Sequence, residues 1–107
     1  MDLKEKKCVP CEGGVPKLVP KEAAPLLKEL HTDWEIVNNH KLQRTYFFVN
    51  YQHTINFVKQ VAAVADKENH HPVMHVYYAK VIVDLWTHAI GGLSENDFIL
   101  AAKLDTL

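Results

Sequence analysis

Apolar residues recur along this chain with two different periods, and the alternation between them lays out the elements. Residues 1–19 carry no period and are rich in Lys, Pro and Gly. They read as an extended tail, pinned where Val15, Leu18 and Val19 find apolar surface. In "EAAPLLKEL", from Glu22 to Leu30, Leu26, Leu27 and Leu30 share one helical stripe. Pro25 suits only a first turn, which sets the expected helix start near Glu22. In "DWEIV" the period changes to two, with Trp34 and Ile36 alternating with polar neighbours. Asn38-Asn39 tolerates the positive φ of a tight turn, and Leu42 to Val49 is dense in strand formers, so a β-hairpin is predicted.

Asn50 is placed to cap a helix from Tyr51 to about Lys67. Its apolar face is expected from Ile55, Val58, Val61, Ala62 and Ala65, broadened by Phe57 and Val64. After "ENHHP", the runs "VMHVYY" and "KVIVDLWTH" predict a second strand pair, ending at His88. In the latter, Val81, Val83 and Leu85 face one side, with Ile82, Asp84 and Trp86 on the other. Gly91-Gly92 interrupt the chain. Ser94 then caps a last helix, with Asp97 as capping-box carboxylate and Leu93 stapled to Phe98. The expected fold is α+β, ordered α-β-β-α-β-β-α. It is a four-stranded antiparallel sheet with three helices on one face, formed by one domain over residues 20–107 behind the 1–19 tail.

The 107 residues suffice for one domain. Twelve basic and thirteen acidic residues give a net charge of −1, which offers nucleic acid no electrostatic footprint. Neither an apolar run of spanning length nor a signal-peptide core is present, so a cytoplasmic protein without membrane partners is expected. Cys8 and Cys11 form a lone CxxC. A zinc ribbon would need a second pair, and a redox motif would need a helix where "EGGVP" follows, so the pair reads as a loop feature.

Seven histidines carry the remaining chemistry. His31, His40 and His53 read as surface residues, and His75, within a strand, as a packing residue. His70 and His71 differ. They follow a helix end and precede Pro72, in a turn where bulky imidazoles bury little apolar area. If the second strand pair forms a hairpin, the start of one strand and the end of the other are neighbours, and His70, His71 and His88 converge. Such a cluster serves proton transfer near neutral pH. Metal binding is disfavoured because adjacent histidines tend to point apart. No nucleophile motif accompanies the cluster.

Asp66, His70-His71-Pro72, Tyr78, His88 and Asp97, with "THAIGGLSENDF", resemble the pterin-4a-carbinolamine dehydratase family, which in animals also supplies a dimerisation cofactor of a homeodomain transcription factor. The likeness covers about residues 20–107, and the tail resembles an extension of some plant and protist members. It implies dehydration of 4a-hydroxytetrahydrobiopterin to the quinonoid dihydropterin, in tetrahydrobiopterin recycling, without metal or organic cofactor. By the same resemblance His70 and His88 are the acid/base pair, and His71 binds and orients the pterin. Asp66 fixes an imidazole, and Pro72, Asn69, Thr87 and Met74 complete the substrate-binding wall. Asp97 is better explained by the helix cap, and Tyr78 by the core. Many relatives have Glu at the Asp66 position and an aromatic residue at that of Met74. The implied assembly is a homodimer or homotetramer, with Trp86 and Ile82 suited to a subunit contact. Two rival readings remain: a non-catalytic oligomerisation or protein-interaction module, and a small metalloprotein built on His70, His71, His75 and the cysteines.

Overall fold

The computed structural model describes residues 2–9 and 15–107. Cys11, the second half of the CxxC pair, lies outside them. The main elements are α1 (Pro20–Leu27), β1 (Glu35–Val37), β2 (Lys41–Phe47), α2 (Tyr51–Glu68), β3 (Val73–Val76), β4 (Lys80–Leu85) and α3 (Glu95–Leu104). The strands form one antiparallel sheet in the order β1-β2-β4-β3, so the expected α+β architecture and element order are found. No helix among the described residues is long and apolar enough to cross a membrane.

Register follows from the alternation of side chains. Leu42 pairs with Leu85, Arg44 with Val83 and Tyr46 with Val81, so these residues share the face that meets the helices. Leu42, Val81, Val83 and Leu85 are fully buried there against Phe98, Leu100 and Leu104 of α3 and Phe57 and Val61 of α2. Each such side chain contributes roughly 1.5–3 kcal/mol by leaving water. Asn38 and Asn39 both adopt positive φ, which the β1–β2 turn requires.

Several boundaries differ from the sequence pattern, each for a local reason. Helix α1 starts at Pro20 and stops at Leu27. Pro20 in the first turn gives up no hydrogen bond, whereas Pro25 falls past that turn, inside the helix, and Glu22 Oε1 accepts the Val19 N–H at 3.1 Å to close the N-terminal end. Leu30 lies beyond the helix but is buried all the same. The buried stripe of α2 is Thr54, Phe57, Val61, Ala65 and Glu68, which leaves Ala62 exposed. Tyr78 is not core: it is 71% exposed in the β3–β4 turn, stacked on Tyr51, and its carbonyl accepts from Thr54 Oγ1. Strand β4 ends at Leu85, not at His88. Thr87 forms an isolated bridge with Gly92, and left-handed Gly91 (φ 60°) closes a 3₁₀ turn over His88–Ile90. The tail is not wholly extended either, since Leu3–Glu5 form a 3₁₀ turn that packs on α3.

On the sheet face away from the helices, Asp84 is buried although its partners Lys41 and Gln43 are only half-buried and His75 is exposed. Lys41 Nζ (3.1 Å), Gln43 Nε2 (2.8 Å) and His75 Nε2 (3.1 Å) surround its carboxylate. His75 therefore serves as a hydrogen-bond partner on this outer face and not as a packing residue. Burial alone would raise the Asp84 pKa, but the hydrogen bonds from Gln43, Lys41 and His75, with the Lys41 charge, hold it below the usual carboxylate value. A depressed carboxylate stabilises the fold above its unfolded pKa of about 3.9, and that stabilisation is lost as pH falls through the folded value. We expect Asp84→Asn to lose about 1–3 kcal/mol at pH 7 in denaturant titrations. The gap from wild type should narrow steadily as the titration is repeated below about pH 4.

Candidate active site

Two helix ends meet beside the β3–β4 hairpin. At the C-terminus of α2, Asn69 takes the left-handed conformation (φ 51°). Its N–H then bonds the Asp66 carbonyl at 3.3 Å, and the His70 N–H bonds that of Ala65 at 3.2 Å. This closure turns the chain out of the helix and aims His70 inward, leaving it only 6% exposed. At the N-terminus of α3, Ser94 and Asp97 form a capping box in which the Ser94 N–H bonds Asp97 Oδ2 at 2.9 Å. Asp97 is fully buried, and its other oxygen, Oδ1, lies 2.6 Å from His70 Nε2.

Thr87 completes this cluster. Its hydroxyl donates to Asp97 Oδ2 at 2.9 Å and lies 2.7 Å from Ser94 Oγ. A carboxylate that carries its charge only accepts hydrogen bonds, and the His70 tautomer that suits the short contact is the one with its proton on Nε2. The Asp97 charge is thus spread over a backbone N–H, a hydroxyl and an imidazole, at the positive end of α3.

His71, unlike His70, is exposed. Its Nε2 lies 3.0 Å from Asp66 Oδ1, in an exposed pair worth about 0–1 kcal/mol. His88, in the 3₁₀ turn, is exposed, and its ring stacks on Trp86 at 4.3 Å with an interplanar angle of 8°. Trp86 also meets His40, with ring centroids 5.5 Å apart and tilted by 41°. Trp86 thus fixes the plane of the His88 ring through an intramolecular stack.

Asn69, His70, His71, Thr87, His88 and Ala89 line one open cleft of about 310 Å³. The three imidazoles singled out in the sequence therefore share a wall, together with Asn69 and Thr87. Among the other expected substrate contacts, Asp66 reaches the cleft only through His71. Met74 packs against the core on the helix side of the sheet, and Pro72 does not line the cleft. His75 hydrogen-bonds Asp84 across the sheet and so does not converge with His70 and His71. Among the described residues, no three His, Cys, Asp or Glu side chains are grouped so as to hold a metal ion.

Sequence reasoning missed two contributors. Asp97 was assigned to the helix cap alone, yet one carboxylate serves both the cap and His70. Trp86 reads from the sequence only as suited to a subunit contact, and its stack on His88 is additional to that. The alternation of β4 correctly put it opposite Leu85, but its contact with His88 depends on the 3₁₀ turn, which periodicity does not register.

The profile of the pterin 4 alpha carbinolamine dehydratase family matches residues 16–107. A Nitrosomonas europaea protein, named provisionally a pterin-4-alpha-carbinolamine dehydratase, is 54% identical over 99% of this chain and 93% of its own. One of the same name from Rickettsia canadensis is 46% identical over 97% and 95%. Both alignments extend into the tail, so the extension is shared with bacterial relatives. Among solved structures, a transcriptional coactivator/pterin dehydratase from Brucella melitensis superposes with a TM-score of 0.79 at 29% identity. It covers 85% of this chain and 97% of its own. A pterin dehydratase-like protein described as a RuBisCO assembly factor in the alpha-carboxysome shares the fold, with a TM-score of 0.59 at 23% identity over 71% and 89%. With its profile match over most of its length and its full-length relatives, this chain belongs to the pterin-4a-carbinolamine dehydratase family.

Proposed function

We propose that the cleft dehydrates a 4a-hydroxytetrahydropterin such as 4a-hydroxytetrahydrobiopterin to the quinonoid dihydropterin, through its histidines and in the service of pterin cofactor recycling. The observation that carries this reading is the placement of His70, His71 and His88 on one cleft, with His70 held by a buried carboxylate. The reaction removes a proton from N5 and expels the C4a hydroxyl as water, so one group must accept a proton while another donates one. A cleft of about 310 Å³ lies within the range that receives small molecules.

His70 suits the accepting role. When its imidazole takes a proton, the positive charge forms against Asp97, whose position is already fixed by Ser94 and Thr87. His88 stands at the rim, where the departing water meets solvent, and it supplies the proton to the hydroxyl. His71, exposed and steadied by Asp66, orients the ring. Each proton-transfer group contributes about 10²–10⁴-fold.

The direct assay generates the carbinolamine in situ and follows quinonoid dihydropterin formation. His88→Ala, a change at an exposed side chain, should lower kcat about 10²–10⁴-fold without loss of fold. His70→Ala should match it. Rates equal to wild type in both variants would remove the proposal.

Trp86→Ala should lower kcat about ten-fold by releasing the His88 ring. Introduced into His88→Ala, the same change should cost almost nothing further. Equal penalties in the two backgrounds would show that Trp86 does not act through His88.

A further inference from the structure

We propose that the N-terminal strap formed by residues 2–9, which precedes the family match, is a positioning element of the site. It grips the chain immediately beside both members of the His70–Asp97 pair. Asn96, the neighbour of Asp97, is 1% exposed. Its side-chain amide pairs with the backbone of Val9 as a strand would: the Val9 N–H donates to Oδ1 at 2.9 Å, and Nδ2 donates to the Val9 carbonyl at 2.8 Å. Cys8 Sγ contacts the Asn96 carbonyl at 3.5 Å. Two residues before His70, Glu68 Oε1 accepts the Cys8 N–H at 2.9 Å.

The rest of the strap keeps this grip in place. Leu3, 3% exposed, is sunk into the core cluster where its 3₁₀ turn packs on α3. Lys103 Nζ donates to the Lys4 carbonyl at 2.9 Å and lies 3.7 Å from Glu68 Oε2. Glu68 is a buried carboxylate at the C-terminal end of α2, where the helix dipole opposes negative charge. The strap N–H and the Lys103 ammonium compensate it there.

These contacts have a consequence for the site. His70 hangs from the end of α2 and Asp97 from the start of α3, so their 2.6 Å separation depends on how those two ends are held together. The strap bonds both ends, one through Glu68 and the other through Asn96. A displacement of about 1 Å in such a contact is enough to cost a site about 10²-fold. Hence Asn96 and Glu68, which touch no cleft surface, act on the chemistry through the strap.

The test uses the full-length protein with Val9→Pro, which deletes one backbone donor beneath an exposed side chain, and with Asn96→Ala. Val81→Ala serves as a core-destabilised control. The principal readout is the downfield proton resonance of His70 Nε2–H in the NMR spectrum of the ligand-free protein. It should be sharp in the wild type and the control, and broadened or shifted in both strap variants. The kinetic readout rests on the dehydratase reading: kcat should fall about ten-fold in the strap variants, with KM little changed. A protein without dehydratase activity would leave the resonance test standing. An unchanged resonance in Val9→Pro, which leaves every core side chain intact, would overturn the proposal, whether or not Asn96→Ala folds.

Discussion

The contact between His70 and Asp97 ties two helix ends to the candidate site. Both side chains are buried, and they come from elements that are far apart in sequence. Taking a carboxylate out of water costs several kcal/mol unless its lone pairs are met. Here they are met by the Ser94 N–H, the Thr87 hydroxyl and the His70 imidazole. Removing one member of such a set typically destabilises by about 3–5 kcal/mol, because the other is left buried and unpaired. The helix ends, the Thr87–Gly92 bridge and the β3–β4 hairpin are therefore constrained together by a single carboxylate.

The sheet separates two kinds of work. Its helix side is apolar and carries the core through Leu42, Val81, Val83 and Leu85. Its outer side holds a polar centre at Asp84, satisfied by Lys41, Gln43 and His75. The histidine cleft belongs to neither face. It opens at the end of the sheet where β3 begins and β4 stops, so loop residues line it while regular elements fix its depth. Phe47, Val49, Tyr51, Tyr77 and Tyr78 are exposed near the other end of the hairpin. There the aromatic pair Tyr51–Tyr78 ties the start of α2 to the β3–β4 turn.

Periodicity made much of this visible in the sequence. The two-residue alternation of β4 located the core face, and the paired asparagines gave the first turn. His-His-Pro after a helix singled out the turn whose His70 and His71 line the cleft, because packing offers imidazoles little reward in such a place. What escaped the pattern had non-local or dual causes. Asp97 carries a capping signal strong enough to explain it completely, so its second oxygen went unread. The irregular tail offered no period, yet Leu3 is core and Val9 pairs with a side chain 87 residues away. Tyr78 looked like core because it is aromatic beside a strand, but the turn carries it outward.

On the proposed reading, one bound bicyclic ring meets three imidazoles in the same cleft. Titration with a stable dihydropterin, followed through the imidazole NMR signals, tests it most directly. His70, His71 and His88 should shift together along one binding curve while His53, exposed on the first turn of α2, stays still. Saturable binding that leaves all three cleft signals unmoved would contradict it.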